Sequence, residues 1–109
     1  MIDTAATLSR PVSRDKLVSG LRALKHAFAE EGVTHMVLFG SRARGDNRSD
    51  SDVDLMIEIA PGRKFSLVDL AGVALTVEDA FGLPASLVMR RSASPALLAA
   101  VERDGIPLF

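Results

Sequence analysis

Two apolar segments joined by a polar loop decide the fold: Thr34-His-Met-Val-Leu-Phe39, then GSRARGDNRSDS at 40–51, then Asp52-Val-Asp-Leu-Met-Ile-Glu-Ile59. The first segment is rich in strand formers and stops at Gly40, so it reads as a mostly buried strand. The second alternates polar and apolar at its start, the period-2 mark of a strand. The connection is polar and holds glycine, with one helical turn expected over Arg42–Arg44.

Upstream, Leu17, Leu21, Leu24 and Phe28 share one helical face, which predicts a helix from about Ser13 to Glu31. Ser13 suits its N-cap and Gly32 its C′ position. Residues 1–12 lack periodicity and read as a flexible leader, leaving 13–109 as a single domain. Downstream, Pro61-Gly62 marks a turn and Ser66-x-x-Asp69 forms a capping box. The helix it opens points Leu67, Leu70, Val73, Ala74 and Val77 inward and ends near Gly82-Leu-Pro84. Ala85–Met89 follows as a third short strand. Ser94-Pro95 starts a last helix, with proline at N1, and Gly105 closes it. This order predicts a small α/β (α+β) unit, a mixed β-sheet flanked by helices.

Composition narrows the function. The 109 residues are 48% apolar and 25% charged with a net charge of −1, so no global field draws the chain to nucleic acid or membrane. The absence of cysteine excludes disulfides, thiolate zinc sites and thiol chemistry. No apolar run reaches the roughly 18 residues of a membrane helix. The N-terminus does not read as a signal peptide, so the expected compartment is the cytoplasm. Basic and aromatic residues are not interleaved, which argues against direct nucleic-acid binding.

The chemistry concentrates at Gly40-Ser41 and Asp52-Val53-Asp54. Side chains alternate along a strand, so Asp52 and Asp54 share a side, with Cα atoms about 6.6–7 Å apart. Carboxylates at that spacing suit hard cations such as magnesium, and a two-ion site fits between them. Taken alone, the pair also fits an exposed edge strand whose aspartates face water. Gly40-Ser41 supplies backbone N–H groups and a hydroxyl of the kind that holds phosphate oxygens. It is not a Walker A loop, because no Gly-Lys-Ser/Thr follows.

With ten residues between Ser41 and Asp52, the set Gly40, Ser41, Asp52 and Asp54 resembles the minimal nucleotidyltransferases of the DNA polymerase β superfamily, of the antitoxin type. The similarity runs from about Leu17 to the C-terminus. It implies nucleotide binding by Gly40 and Ser41, and catalysis with two Mg²⁺ ions held by Asp52 and Asp54. The family's third carboxylate falls at Ser86, in Ala85-Ser86-Leu87-Val88. A neutral hydroxyl neither ligates a cation well nor takes a proton, and general-base help is worth about 10²–10⁴ in rate. Glu58 shares the Asp54 face but lies four residues on, about 13 Å along the strand. Glu78, Asp79, Glu102 and Asp104 belong to helices.

Other polar residues fit structural roles as well as functional ones. Arg42, Arg44 and Arg48 are placed to contact phosphate, or to pair with Asp46 and Asp50 as a solvated loop. Arg90 and Arg91 are expected near the mouth of the site. His26 reads as structural, between the inward Leu24 and Phe28, and His35 as part of a buried strand.

Two functions follow from the resemblance. One is transfer of a nucleoside monophosphate, AMP from ATP, to a hydroxyl, as the antitoxin of a helical HEPN-type toxin. The other is a catalytically degenerate, nucleotide-binding antitoxin that neutralises its partner by contact. An apolar content of 48% also points to surface covered by a partner or by a second copy.

Overall fold

The computed structural model describes residues 12–109, so the leader proposed for 1–12 lies almost wholly outside the described residues. The chain forms helices α1 (Arg14–Ala23) and α2 (Lys25–Glu30), strand β1 (Val33–Phe39), a short helix α3 (Ser41–Arg44) and strand β2 (Val53–Ile59). Helix α4 (Leu67–Phe81), strand β3 (Ala85–Met89), a 3₁₀ turn (Arg90–Ser92), helix α5 (Pro95–Asp104) and strand β4 (Ile106–Pro107) complete it. The sheet order is β3-β2-β1-β4, with β1 antiparallel to β2 and β4, and β2 parallel to β3. This is the mixed sheet flanked by helices that the sequence implied.

One sheet face carries the main core. Met36 and Leu38 of β1 and Val53, Leu55 and Ile57 of β2 meet Leu17, Leu21, Phe28, Val73 and Val77 from the helices. Phe109 stacks on Phe28 with ring centroids 6.2 Å apart, tying the C-terminus to α2. The other face holds Val37, Met56 and Asp54, and Met56 is buried there. Helix α5 covers part of it through Leu98 and Val101, which share a cavity with Val37.

The caps act as expected. Ser66 and Asp69 close a reciprocal capping box on α4, and the Ser94 hydroxyl accepts from the Leu97 N–H. Other expectations are corrected. The single helix over 13–31 is two, because Leu24 leaves helical geometry at φ −90° and ψ 8°. His26 is consequently exposed on α2, where Phe28 alone is buried. Leu67 points outward at 82% exposure, being in the first turn ahead of the buried stripe. His35 is exposed opposite Glu58, its Nδ1 3.1 Å from the Thr34 hydroxyl. β2 begins at Val53, one residue later than read. β4 was not anticipated, since a two-residue edge strand has no periodicity to detect.

Candidate active site

The β1–α3–β2 unit brings the two halves of the motif into contact. Gly40 ends β1 with φ 74°, a left-handed conformation that disfavours any side chain, and becomes the N-cap of α3. A Cβ there would collide with the Asp54 Oδ2, and would lie 3.1 Å from its Cγ and 3.2 Å from its Cβ. Phe39 is the register partner of Asp54, so the turn lies directly over the carboxylate. Ser41 opens α3 beside it. As at any helix start, the N–H groups of Ser41 and Arg42 have no acceptor within their own turn. The start of α3, with its free N–H groups, therefore follows directly on a glycine packed against the Asp54 carboxylate.

Asp52 is exposed, immediately before β2, and Asp54 is half-buried within it. The two flank Val53, which is fully buried on the opposite side. Burial pushes the Asp54 carboxyl above its usual range, the Asp52 charge pushes it further, and Arg44 partly offsets both. Asp54 is thus an acid whose negative charge is under-compensated. This arrangement fits a divalent cation with oxygen ligands, which would satisfy both carboxylates at once.

The third acid is absent. Ser86 is exposed on β3 and is the register partner of Asp54 across the parallel β2–β3 pair. Among the described residues, no three of His, Cys, Asp and Glu cluster to hold a metal. Asp52 and Asp54 therefore have no third acid grouped with them among the described residues. Glu58 lies along β2 opposite His35, and Glu78 accepts a 3.0 Å hydrogen bond from the Ala85 N–H, fixing the start of β3.

Two arginine expectations are corrected. Arg42 is neither a phosphate contact nor a surface residue: it is 2% exposed. Its Nε donates to the Ser51 carbonyl at 2.9 Å, and its Nη2 to those of Ser49 at 3.1 Å and Arg48 at 3.4 Å. It organises the loop that delivers Asp52, a role with no signal in the sequence among three similar arginines. Arg44 pairs with Asp46 at 3.0 Å on the surface, as a solvated loop would have it. Arg90 and Arg91 lie four and five residues beyond Ser86, at the opposite end of the strands, so they do not border the site. They line a separate cavity of about 330 Å³ with Ile57, Glu58, Ile59, Met89 and Leu98. That hollow holds no comparable grouping of acids and phosphate-binding backbone.

The nucleotidyltransferase domain family matches residues 21–107. A candidate protein adenylyltransferase of Methanocaldococcus jannaschii is 32% identical over 86 residues, covering 79% of this chain and 85% of its own. A solved candidate minimal nucleotidyltransferase superposes with a TM-score of 0.75 at 34% identity, over 89% of this chain and 97% of that one. A complex of tri-AMPylated Shewanella oneidensis HEPN toxin with its MNT antitoxin contains a chain of similar fold, with a TM-score of 0.58 at 22% identity over 82% of this chain and 70% of that one. The family match covers most of the chain, including the turn at Gly40 and the acids Asp52 and Asp54: this protein belongs to the nucleotidyltransferase domain family.

Proposed function

We propose that the protein transfers AMP from ATP to a hydroxyl on a protein partner, the α–β phosphoanhydride breaking to release pyrophosphate and the hydroxyl losing its proton to solvent, in the cytoplasm, as the antitoxin of a HEPN-type toxin. The observation that carries this reading is the packing of the Gly40 backbone against the Asp54 carboxylate. A glycine turn suited to phosphate beside a carboxylate suited to a cation is the pairing that triphosphate chemistry would use. The adenylyltransferase relative and the AMPylated toxin of the structural neighbour support the choice of AMP and of a protein acceptor.

In this reading the Gly40–Ser41 turn holds the triphosphate through its N–H groups and the Ser41 hydroxyl. Asp52 and Asp54 would hold Mg²⁺, which when bound supplies charge neutralisation at the phosphate under attack. Arg42 keeps the loop closed so that Asp52 stays beside Asp54. Ser86, beside Asp54 in register, would take no proton from an acceptor hydroxyl, so slow turnover is expected.

Ser86 also favours a second reading, in which nucleotide binding persists and the partner is neutralised by contact. Co-expression with a helical toxin partner, using wild type and the Asp52→Asn, Asp54→Asn double variant, separates the two. Suppression of toxicity lost in the double variant while the complex still forms is the result expected for transfer. Suppression retained favours contact. A wild-type protein that neither binds such a toxin nor suppresses it defeats both antitoxin readings. Transfer itself is then tested with labelled ATP and candidate hydroxyl acceptors.

A further inference from the structure

Helix α4 is apolar on both sides. Val73 and Val77 are fully buried against the sheet, yet Val68 is 80% and Leu75 56% exposed. At about 100° per residue, Val68, Ala71, Leu75 and Asp79 form one stripe directly opposite the buried one. All four are exposed. A surface helix ordinarily carries polar residues there, so this face is built for cover.

The stripe is symmetric about its own midpoint. Val68 lies as far before the point between Ala71 and Gly72 as Leu75 lies after it, and Lys64 belongs to the non-helical segment just ahead of the Ser66 N-cap. Two copies of α4 packed antiparallel about a two-fold axis at that point would set Val68 of each against Leu75 of the other. An isologous contact demands this self-complementarity. Ala71 is small and exposed at the crossing, while Gly72 beside it faces the Glu31 carboxylate of its own chain, whose Oε2 would lie 3.8 Å from an added Cβ. Each Asp79 would reach the N-terminal end of the other helix, where Lys64 and the positive end of the helix dipole favour a carboxylate. Among the described residues, neither Lys64 nor Asp79 has a salt-bridge partner.

We propose that α4 is a self-association surface occupied by a second copy of this chain, antiparallel, with the two-fold axis beside Ala71. The Asp54 side chain stands on the sheet face opposite the one that α4 covers. Pairing through α4 therefore leaves both candidate active sites open and directed away from the interface. With 15 residues, α4 is about 22 Å long, so one helix per copy makes a small interface of under about 1,200 Å² in total. A reversible dimer with micromolar affinity is expected.

The chain has no cysteine, so a single introduced thiol reports on the axis. Ala71→Cys, oxidised at low micromolar concentration, should accumulate a covalent dimer, whereas Ala29→Cys at an exposed site on α2 should not. In sedimentation equilibrium, Leu75→Lys should weaken association by about tenfold or more. Asp79→Lys should weaken it, and adding Lys64→Asp should restore it. Circular dichroism checks that each variant stays folded. Wild-type protein that remains monomeric at several hundred micromolar, or equal cross-linking at positions 71 and 29, overturns the proposal. So does protection of the thiol introduced by Ala71→Cys from maleimide by a different protein while the free chain stays monomeric, since α4 would then be that partner's docking face.

Discussion

Asp54 and Ser86 are register partners in neighbouring parallel strands, side by side on the same face of the sheet. Strands in a sheet lie about 4.7–4.9 Å apart, so a carboxylate on residue 86 would reach a cation held by Asp54. The hydroxyl that stands there supplies no charge. Ser86→Asp should therefore raise transfer of labelled AMP to a supplied acceptor by about 10² or more, the lower end of general-base assistance. Ser86→Ala should leave the wild-type rate unchanged. Robust wild-type transfer insensitive to both substitutions would show that another acid serves.

Gly40 has two reasons to be glycine: its φ of 74° and the collision a side chain would have with Asp54. Gly40→Ala should lower stability by about 1–3 kcal/mol, as for other residues forced into a sparsely populated conformation. In a domain of this size each kcal/mol is worth roughly 4–8 °C in Tm. Gly45→Ala provides the comparison. It has φ 86° but only a distant neighbour, the Arg14 Nη1 at 3.7 Å from an added Cβ, so it should cost less and leave nucleotide binding intact. Calorimetric Tm values together with ATP titrations distinguish the two.

Arg42 satisfies three backbone carbonyls from a buried position. Removing it takes the Arg42 donor from the Ser49 and Ser51 carbonyls, at about 1–3 kcal/mol for each that stays buried, whereas the Arg48 carbonyl keeps the Ser51 N–H and the Asn47 Nδ2. Arg42→Ala should destabilise by at least about 2 kcal/mol in urea unfolding. Amide exchange should speed up over 45–52 ahead of the rest of the chain. A variant as stable as wild type, with an unchanged loop, would remove Arg42 from the account of how Asp52 is placed.

Asp54 carries a linked pH dependence. Its folded pKa is raised, first by burial and then by Asp52. Between the ordinary aspartate value, about 3.9, and that raised value, the folded state binds more protons than the unfolded chain. Stability therefore falls as pH rises through this window, and the cost is fully present at pH 7. Asp54→Asn should be the more stable protein at neutral pH, by well under about 1 kcal/mol for a half-exposed, screened group. The difference should vanish below the window. Thermal melts across pH test the sign.

Ligand should reverse that ranking. With Mg²⁺–ATP free at about 100 times its Kd, wild type should gain about 2.7 kcal/mol from mass action. Asp54→Asn should gain little, because it lacks the charge that would hold the cation. Equal gains in the two proteins would remove Asp54 from the binding site.

Much of the fold was legible because local rules govern it. The strand–loop–strand core followed from the period-2 pattern after Asp52 and the apolar run before Gly40. The capping residues Ser66, Asp69 and Ser94 marked helix starts because their side chains satisfy N–H groups a few residues away. Two of the helix expectations failed for a common reason. Hydrophobic spacing joined α1 to α2, since Leu24 keeps the stripe while breaking the backbone. It also turned Leu67 inward, because periodicity gives a face but not where along the helix the partner surface begins.

The sequence by itself determined that Gly40, Ser41, Asp52 and Asp54 sit at the two ends of one short loop between two strands, and that no cysteine chemistry applies. Tertiary structure decided which distant residues complete or desert that site. The β2–β3 register set Ser86 beside Asp54, carried Arg90 and Arg91 to the far end of the strands, and burial made Arg42 a scaffold for the loop. Such choices rest on hydrogen bonds and packing between segments far apart in the chain. Local spacing carries no record of them, because any of several registers would preserve the same alternation of faces.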